Sequence, residues 1–433
     1  MNDARSAVPP TVPSATTSPY VWYVVTVCFL AYTVNFVDRQ ILAILLSPIK
    51  QELGLKDVHL GLLSGTAFGI FYATMGIPIG RLADRYPRRT VMSVCIALWS
   101  TMTALSGAAK GFVSLLACRV GVGVGEAGCS PPAISLISDY VPAEKRGGAL
   151  SLYSMGVPVG IVIGFLAGGY LREELGWRTA FVVVGLPGLL VAALLFLTVK
   201  EPPRQQTTTM PPVGEVLRFL WQRRSFRYLS LASGLYAFAA YSTSFMLALF
   251  LERSHGLSAV QQGQAAALIM AGGVGIGTFA GGFIADIWAR RDRRAYALLP
   301  MVSMAIAVPT SVIALLAENT ALAIGLLMIP GLCGQIYQAP AFAASQFLST
   351  PRMRVTAAAV LFFVINIIGL MCGPATTGWL SDQLHDEYGQ ESLRYALIAV
   401  SVVFYAGASV LYWVSSRTMR EDIAHVEALS AAE

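Results

Sequence analysis

Long apolar runs, broken by short polar clusters, recur from residue 21 to residue 416. Each run is long enough to cross a bilayer as a helix, which takes about 20 mostly apolar residues. The pattern predicts spans at 21–47, 59–79, 90–109, 112–138, 147–171 and 178–199. After a polar stretch come 228–251, 262–285, 295–316, 320–347, 354–381 and 393–416. The expected fold is an all-α integral membrane protein with twelve transmembrane helices in two six-helix bundles. Its expected parts are a tail over 1–20, a first bundle over 21–204, a linker over 205–227, a second bundle over 228–417 and a tail over 418–433.

Charge placement sets the orientation. With both chain ends in the cytoplasm, 21 of the 30 Lys and Arg fall on cytoplasmic segments, 7 on opposite loops and 2 inside spans. That bias is what the positive-inside rule predicts, so a cell (inner) membrane location with cytoplasmic termini is expected. Composition agrees: 55% of the 433 residues are apolar and 12% charged, about half the charged share of a soluble protein. A soluble enzyme is excluded. The net charge of +6 is scattered between spans rather than gathered on one face, so no nucleic-acid partner is expected. The six cysteines lie in apolar segments without a Cys-x-x-Cys pair, and the four histidines have no partner at ligand spacing. No metal, cofactor or disulfide framework is expected. Residues 1–20 are polar and rich in Pro, Ser and Thr, unlike a cleaved signal peptide. Nothing in the chain calls for an obligate oligomer, so a monomer is expected.

An internal repeat supports two halves. Gly80-Arg81-Leu82-Ala83-Asp84-Arg85-Tyr86-Pro87-Arg88-Arg89 follows the second span, and Gly282 to Arg291 follows the eighth, 202 residues later. Both read G-x-x-A-D-x-x-x-R-R. Duplicated halves around a midplane site are typical of secondary transporters. Gly80, Asp84, Arg85, Arg88, Arg89 and Asp286 are the expected cytoplasmic gate, with Asp84 capping the helix that begins near Thr350 to Val355. Glycines also recur every fourth residue: Gly156, Gly160, Gly164 and Gly168 in span 5, Gly273, Gly277 and Gly281 in span 8, Gly61, Gly65 and Gly69 in span 2, and Gly369 and Gly373 in span 11. Such stripes let backbones approach closely. They are expected to be sliding seams between the halves, 5 with 8 and 2 with 11, with Pro158 and Pro374 as bending points.

Four ionisable residues fall inside spans: Asp38 and Arg39 in the first, Arg119 and Glu126 in the fourth. Each costs roughly 2.5–3.5 kcal/mol or more at the centre of an isolated helix, which makes such groups functional candidates. The plain alternative is a static ion network joining the two helices. The second-half spans carry no charge in their interiors and offer Tyr236, Tyr241, Tyr337 and Asn366 amid apolar residues. A cavity between the halves is then charged on one wall and largely apolar on the other, which suits an amphipathic molecule. Asp38 and Glu126 are the expected proton-coupling acids. Arg39, Arg119, Tyr236, Tyr241, Tyr337 and Asn366 are the expected substrate-binding residues. No Ser/His/Asp set or His-Glu-x-x-His helix suggests an enzyme.

With twelve spans, the duplicated loop and Arg119 opening Arg-x-Gly-x-Gly-x-Gly-Glu-Ala, the chain resembles the major facilitator superfamily throughout. Asn35-Phe36-Val37-Asp38-Arg39-Gln40, Gly76 to Arg85, Gly123-Val124-Gly125-Glu126-Ala127-Gly128 and Glu201-Pro202-Pro203-Arg204 look like the spinster family of lipid transporters, here a prokaryotic-looking member. The resemblance implies two pseudo-symmetric six-helix bundles, transport of sphingosine phosphate or lysophospholipids, and proton coupling in several members. Carried onto this chain, it makes Asp38 the protonatable acid, Arg119 and Glu126 the central ion network, and Gly80 to Arg89 the gate. Pro87 departs from the superfamily loop, which usually has Gly there.

The reading that results is a proton-linked, alternating-access secondary transporter of an amphipathic anion, a lysolipid or sphingosine-phosphate-like lipid, with the bilayer and protons as its other partners. The expected mechanism holds Arg119 between ionised carboxylates until one is protonated. The alternative within transport is a proton symporter of small organic anions such as sugar acids. From another class, a scramblase or sensor uses the fold without coupled transport.

Overall fold

The computed structural model describes residues 18–202 and 212–432, all helical apart from short connections. Nine helices among them are long and apolar enough to cross a membrane. One of these runs over 54 residues, Lys145–Thr198, about 80 Å if straight against roughly 30 Å of hydrocarbon. It is two spans, because Gly176 breaks it at φ 74°, ψ 165°. Arg88–Ser106 and the segments from Ala259 to Ala289 are two further helical stretches, a count consistent with the twelve expected spans.

Span 1 is Pro19–Leu53. Span 2 joins Asp57–Gly61, a π-helical turn Leu62–Thr66 and Ala67–Arg85. Span 3 is Arg88–Ser106, and span 4 is Phe112–Glu126 with Ser130–Tyr140. Spans 5 and 6 are Ala143–Ser154 and the two parts of Gly156–Thr198. Span 7 is Arg224–His255, and span 8 joins Ala259–Ile269, Met270–Gly275 and Ile276–Ala289. Spans 9 and 10 are Ala295–Leu316 and Thr320–Ile336 with Gln338–Phe347. Span 11 joins Arg354–Ile365, Asn366–Met371 and Gly373–Gln383, and span 12 is Ser392–Ala432. The repeat extends to the caps: Gly54 and Gly256, again 202 residues apart, end spans 1 and 7 in the left-handed conformation, which glycine adopts without steric cost. Spans 2, 8 and 11 each contain a π-helical turn, and span 5 is broken at Met155, so each of these four helices is interrupted.

Two expectations about the ends change. The segment expected as a tail from residue 418 continues span 12 as a helix to Ala432, because Met419, Ile423 and Val426 bury one face and Asp422 accepts the Ser225 N–H at 2.9 Å. The expected linker contains a helix, Val213–Gln222, whose Val216 and Leu220 pack inward. Pro203 and Arg204, like the tail through Thr17, lie outside the described residues.

The start of span 1 and the end of span 12 lie on one side, termed the terminal side. Tyr20 donates to the Thr198 carbonyl there, while Asp422 holds Ser225. On the opposite, far side one buried apolar cluster crosses between bundles, uniting Leu63 and Phe165 with Ala266 and Leu370. On the terminal side the second bundle keeps a separate core around Phe226, Leu361 and Tyr412. The bundles are therefore packed together on the far side and apart on the terminal side.

Candidate functional site

Asp38, Arg39, Arg119 and Glu126 gather inside the first bundle. Asp38, Arg119 and Glu126 are 0%, 1% and 1% exposed, whereas the Arg39 side chain retains 13%. The pairing differs from the expected one. Arg39 Nε, rather than Arg119, donates to Glu126 Oε2, at 2.5 Å. The Arg39 guanidinium also lies 4.9, 4.8 and 4.7 Å from the ring centroids of Phe36, Phe68 and Tyr72. A planar, weakly hydrated cation suits such a cage. Asp38 accepts from Thr103 Oγ1 of span 3 at 3.3 Å. Arg119 makes no ion pair among the described residues; its guanidinium sits 5.7 Å from the Phe68 ring. The reason is helical geometry: adjacent side chains diverge by about 100°, so Asp38 turns into the bundle and Arg39 toward its edge. Tyr241 of the second bundle lies within electrostatic reach of Arg39 there.

A second polar cluster seals the far side. Arg253 of span 7 grips Asp57, Nη1 to Oδ2 and Nη2 to Oδ1, both at 2.7 Å. Lys50 reaches Asp57 Oδ1 at 2.6 Å, and Ser381 of span 11 donates to Oδ2 at 2.7 Å. Beside it, Arg172 of span 5 donates to Glu252 at 2.9 Å and to Gln262 at 3.0 Å. Two acids then cap helices of the opposite bundle. Asp382 accepts the backbone N–H groups of Asp57 and Val58, at 2.9 and 2.8 Å. Glu173 accepts the N–H of Val260 at 3.1 Å.

These two acids close a pattern. Gly169-Tyr170-Leu171-Arg172-Glu173 ends span 5 and Gly378-Trp379-Leu380-Ser381-Asp382 ends span 11. Each reads G-x-L-x-acid, like Gly80 to Asp84, with Gly282 to Asp286 carrying Ile in place of Leu. The glycines permit the approach that capping needs. A Cβ on Gly378 would stand 2.2 Å from the Asp57 carbonyl oxygen, and one on Gly169 would stand 2.5 Å from that of Ala259. Reading only the arginine-rich loops misses Glu173 and Asp382, although the spacing was available in the sequence.

At the terminal side the corresponding ends stand apart. Asp84, Arg85 and Asp286 are exposed and make no hydrogen bond or ion pair among the described residues. A Cβ on Gly80 would meet nothing within 4 Å. The expected cap of Asp84 on the helix near Thr350 to Val355 is thus not made in this conformation, because the bundles are separated at that end. Arg88 and Arg89, expected in the gate, serve the first bundle itself. Arg88 is buried and donates to Asp139 at 2.5 Å, Ser135 at 2.7 Å and Glu201 at 2.8 Å, while Arg89 donates to the Val199 carbonyl. Between spans 5 and 8 on this side lies a groove of about 470 Å³, lined largely by apolar residues including Met155, Ile161 and Met270.

The sequence profile of the Major Facilitator Superfamily matches residues 28–371. The chain belongs to that superfamily. As a major facilitator it is a membrane transporter and not an enzyme, and it is spinster-like. A solved bacterial homologue of the human lysosomal transporter spinster, inward-facing and unoccupied, superposes with a TM-score of 0.85 at 34% identity, covering 94% of this chain and 98% of that one. An MFS-type efflux pump of Mycolicibacterium smegmatis is 34% identical over 407 residues, 93% of this chain and 94% of the pump. A hexuronate transporter of Bacillus subtilis is 26% identical over 403 residues, 89% of this chain and 93% of that protein.

In this major facilitator the remaining predicted residues divide. Tyr236 and Tyr337 bury their rings against each other, 4.3 Å apart, with Tyr405 stacked behind Tyr236. Asn366 donates to the Phe362 carbonyl one turn back. These three are engaged within the second bundle, and of the four only Tyr241 reaches toward the first. The glycine seams are also redistributed. The span 5 stripe packs on span 1, with a Cβ on Gly160 meeting the Thr33 carbonyl at 2.4 Å. The span 8 stripe packs on span 10 and that of span 11 on span 7. Only the span 2 stripe faces the other bundle, at Leu370 and Pro374. A four-residue period signals close approach but carries no information about the partner.

Proposed function

We propose that this major facilitator is a proton-linked, alternating-access transporter of an amphipathic anion, with a lysolipid or sphingosine-phosphate-like lipid as substrate. The observation that carries the reading is the lopsided interior: two acids and two arginines on the first bundle, opposite a second bundle without charge in its span interiors. The apolar groove between spans 5 and 8 fits a hydrocarbon tail. In the proposed cycle, protonating Glu126 removes the charge that holds Arg39. The freed guanidinium then grips a phosphate or carboxylate head bidentately, and Asp38 exchanges protons with Glu126. The geometry favours Arg39 over Arg119 for this role, since Arg39 keeps part of its side chain exposed and lies within reach of Tyr241, whereas Arg119 is buried.

Alternation follows from the four span ends. In the conformation described, Asp382 caps span 2 and Glu173 caps span 8. In the opposite one, Asp84 caps span 11 and Asp286 caps span 5, so two caps are exchanged for two and neither state gains an excess of helix-end stabilisation. With the termini in the cytoplasm of a cell whose inner membrane holds the protein as a monomer, the present state opens inward.

The sugar-acid alternative is favoured by the extended similarity to a hexuronate transporter. The two are separated in proteoliposomes by reading substrate-induced proton flux with an entrapped dye. Flux with lysolipids but not hexuronates, abolished in Asp38→Asn, is expected. Flux with hexuronates alone replaces the lipid reading with the alternative.

A further inference from the structure

The helix Val213–Gln222, between the two bundles, carries more apolar surface than its packing uses. Side chains advance by about 100° per residue along a helix. Val216 and Leu220 therefore form one stripe, and Val213, Leu217 and Trp221 form the stripe beside it. The first stripe is buried in the terminal-side core of the second bundle, with Phe226, Met353 and Ala357, and Phe219 is half-buried next to it. The second stripe is not covered: Val213, Leu217 and Trp221 are 59%, 43% and 54% exposed. Gly214, Glu215, Arg218 and Gln222 fill the remaining arc and are exposed as well. A helix packed on protein and otherwise in water needs a single apolar stripe. This one has two, side by side, and then a polar face.

The chain fixes the level at which the helix lies. Arg223 is extended, at φ −84° and ψ 112°, and separates the helix from span 7, which begins at the next residue, Arg224. Trp221 thus stands directly before a membrane crossing. The helix also packs against Arg354–Ile365, the terminal-side part of span 11, where Val355, Phe362 and Phe363 are themselves exposed.

The surroundings of the stripe are basic. Arg218, Arg223, Arg224 and Arg227 follow one another closely, and Glu215 is the sole acid between Glu201 and Glu252. Arg352 and Arg354, at the start of span 11, are exposed. Asp422, which span 12 brings alongside, is occupied by Ser225. An apolar stripe bordered by cations, with a tryptophan at its end, suits a helix seated among the headgroups of an anionic bilayer.

We propose that Val213–Gln222 is a membrane-surface anchor of the second bundle. Val213, Leu217 and Trp221 enter the leaflet on the terminal side, and Arg218 and Arg224 meet the phosphates of anionic phospholipids. The helix thereby ties the terminal-side end of the second bundle to the bilayer surface, whatever substrate is carried.

Fluorescence of the full chain in proteoliposomes tests this. Trp221 is one of seven tryptophans, and the difference between wild type and Trp221→Phe isolates its emission. In vesicles containing phosphatidylglycerol, that emission should be lost when the acyl chains are brominated near the headgroup, and should resist acrylamide in the water. Bromolipid quenching should weaken when phosphatidylcholine replaces phosphatidylglycerol. Emission quenched by acrylamide alone puts the stripe in water or in the gap between bundles, and overturns the proposal. Emission that neither quencher reaches shows a stripe covered by protein, and overturns it equally. Bromolipid quenching of the same strength in both lipids overturns the contact with anionic headgroups. Should Trp221→Phe not fold, Leu217→Trp adds a reporter to the same stripe, and its added emission is read in the same way.

Discussion

Asp382 and Asp57 belong to different bundles, and the Asp382 carboxylate accepts the Asp57 backbone N–H at 2.9 Å, and that of Val58 at 2.8 Å. An acid set against the first turn of a helix satisfies N–H groups that have no partner within the helix and meets the positive end of its dipole. A charged cap is worth about 1 kcal/mol, or about a fivefold change in a two-state population. Asp382→Ala should therefore shift the protein toward the state open on the far side by that factor. Spin-label distances between far-side loops of the two bundles read the shift. An unchanged distribution removes the cap from the mechanism.

The motif glycines make an asymmetric prediction. Gly378→Ala places a methyl group 2.2 Å from the Asp57 carbonyl oxygen, and no side-chain rotation relieves a clash with backbone. The far side should be forced open, and transport should fall at least tenfold, about 1.4 kcal/mol or more. Gly80→Ala meets open space in the present state, so it should leave this conformation intact while slowing the cycle. Equal conformational effects from the two variants contradict the exchange of caps.

A pH effect is expected outside the membrane. At Asp292, burial works to raise the carboxyl pKa, but hydrogen bonds from Arg294 and Arg420 prevail and hold it below its ordinary 3.8. A group whose folded pKa is lowered contributes stability above its unfolded pKa and loses it as pH falls through the folded value. The melting temperature of the wild type should thus decline more steeply below about pH 4 than that of Asp292→Asn. Parallel curves rule out this ion cluster as a contributor to the anchoring of span 12.

The sequence shows those features that depend on local pattern. Twelve spans follow from hydropathy because each is a continuous run, and the cluster at Asp38, Arg39, Arg119 and Glu126 follows because charge is rare in such runs. Partners are a tertiary matter. Nothing in the spacing of Arg119 and Glu126 indicates that Arg39 takes Glu126, since this depends on how span 1 is rotated against span 4. The span 5 glycines announce a close neighbour without saying that it is span 1. Asp382 was within reach of sequence reasoning, as the same five-residue pattern ends spans 2 and 11, but its flanks lack the Arg-Arg pair that marks the other loops. Which pair of caps is made depends on conformation, and the chain encodes both.

Pairing at Arg39 gives a further expectation. Glu126→Gln removes the charge that holds the guanidinium in its cage of Phe36, Phe68 and Tyr72, mimicking the protonated state. Substrate affinity should rise severalfold while proton-driven accumulation falls, as measured by binding in detergent and uptake in proteoliposomes. A parallel loss of both assigns Glu126 to a purely structural role.

The account stands most directly on Asp38. Proteoliposomes bearing wild type or Asp38→Asn are given a pH gradient, and gradient-driven accumulation is compared with exchange of labelled for unlabelled substrate at equal pH. Accumulation should vanish in Asp38→Asn while exchange persists, since exchange needs no net proton transfer. Accumulation in Asp38→Asn at the wild-type level contradicts the claim that this buried carboxyl couples the proton to transport.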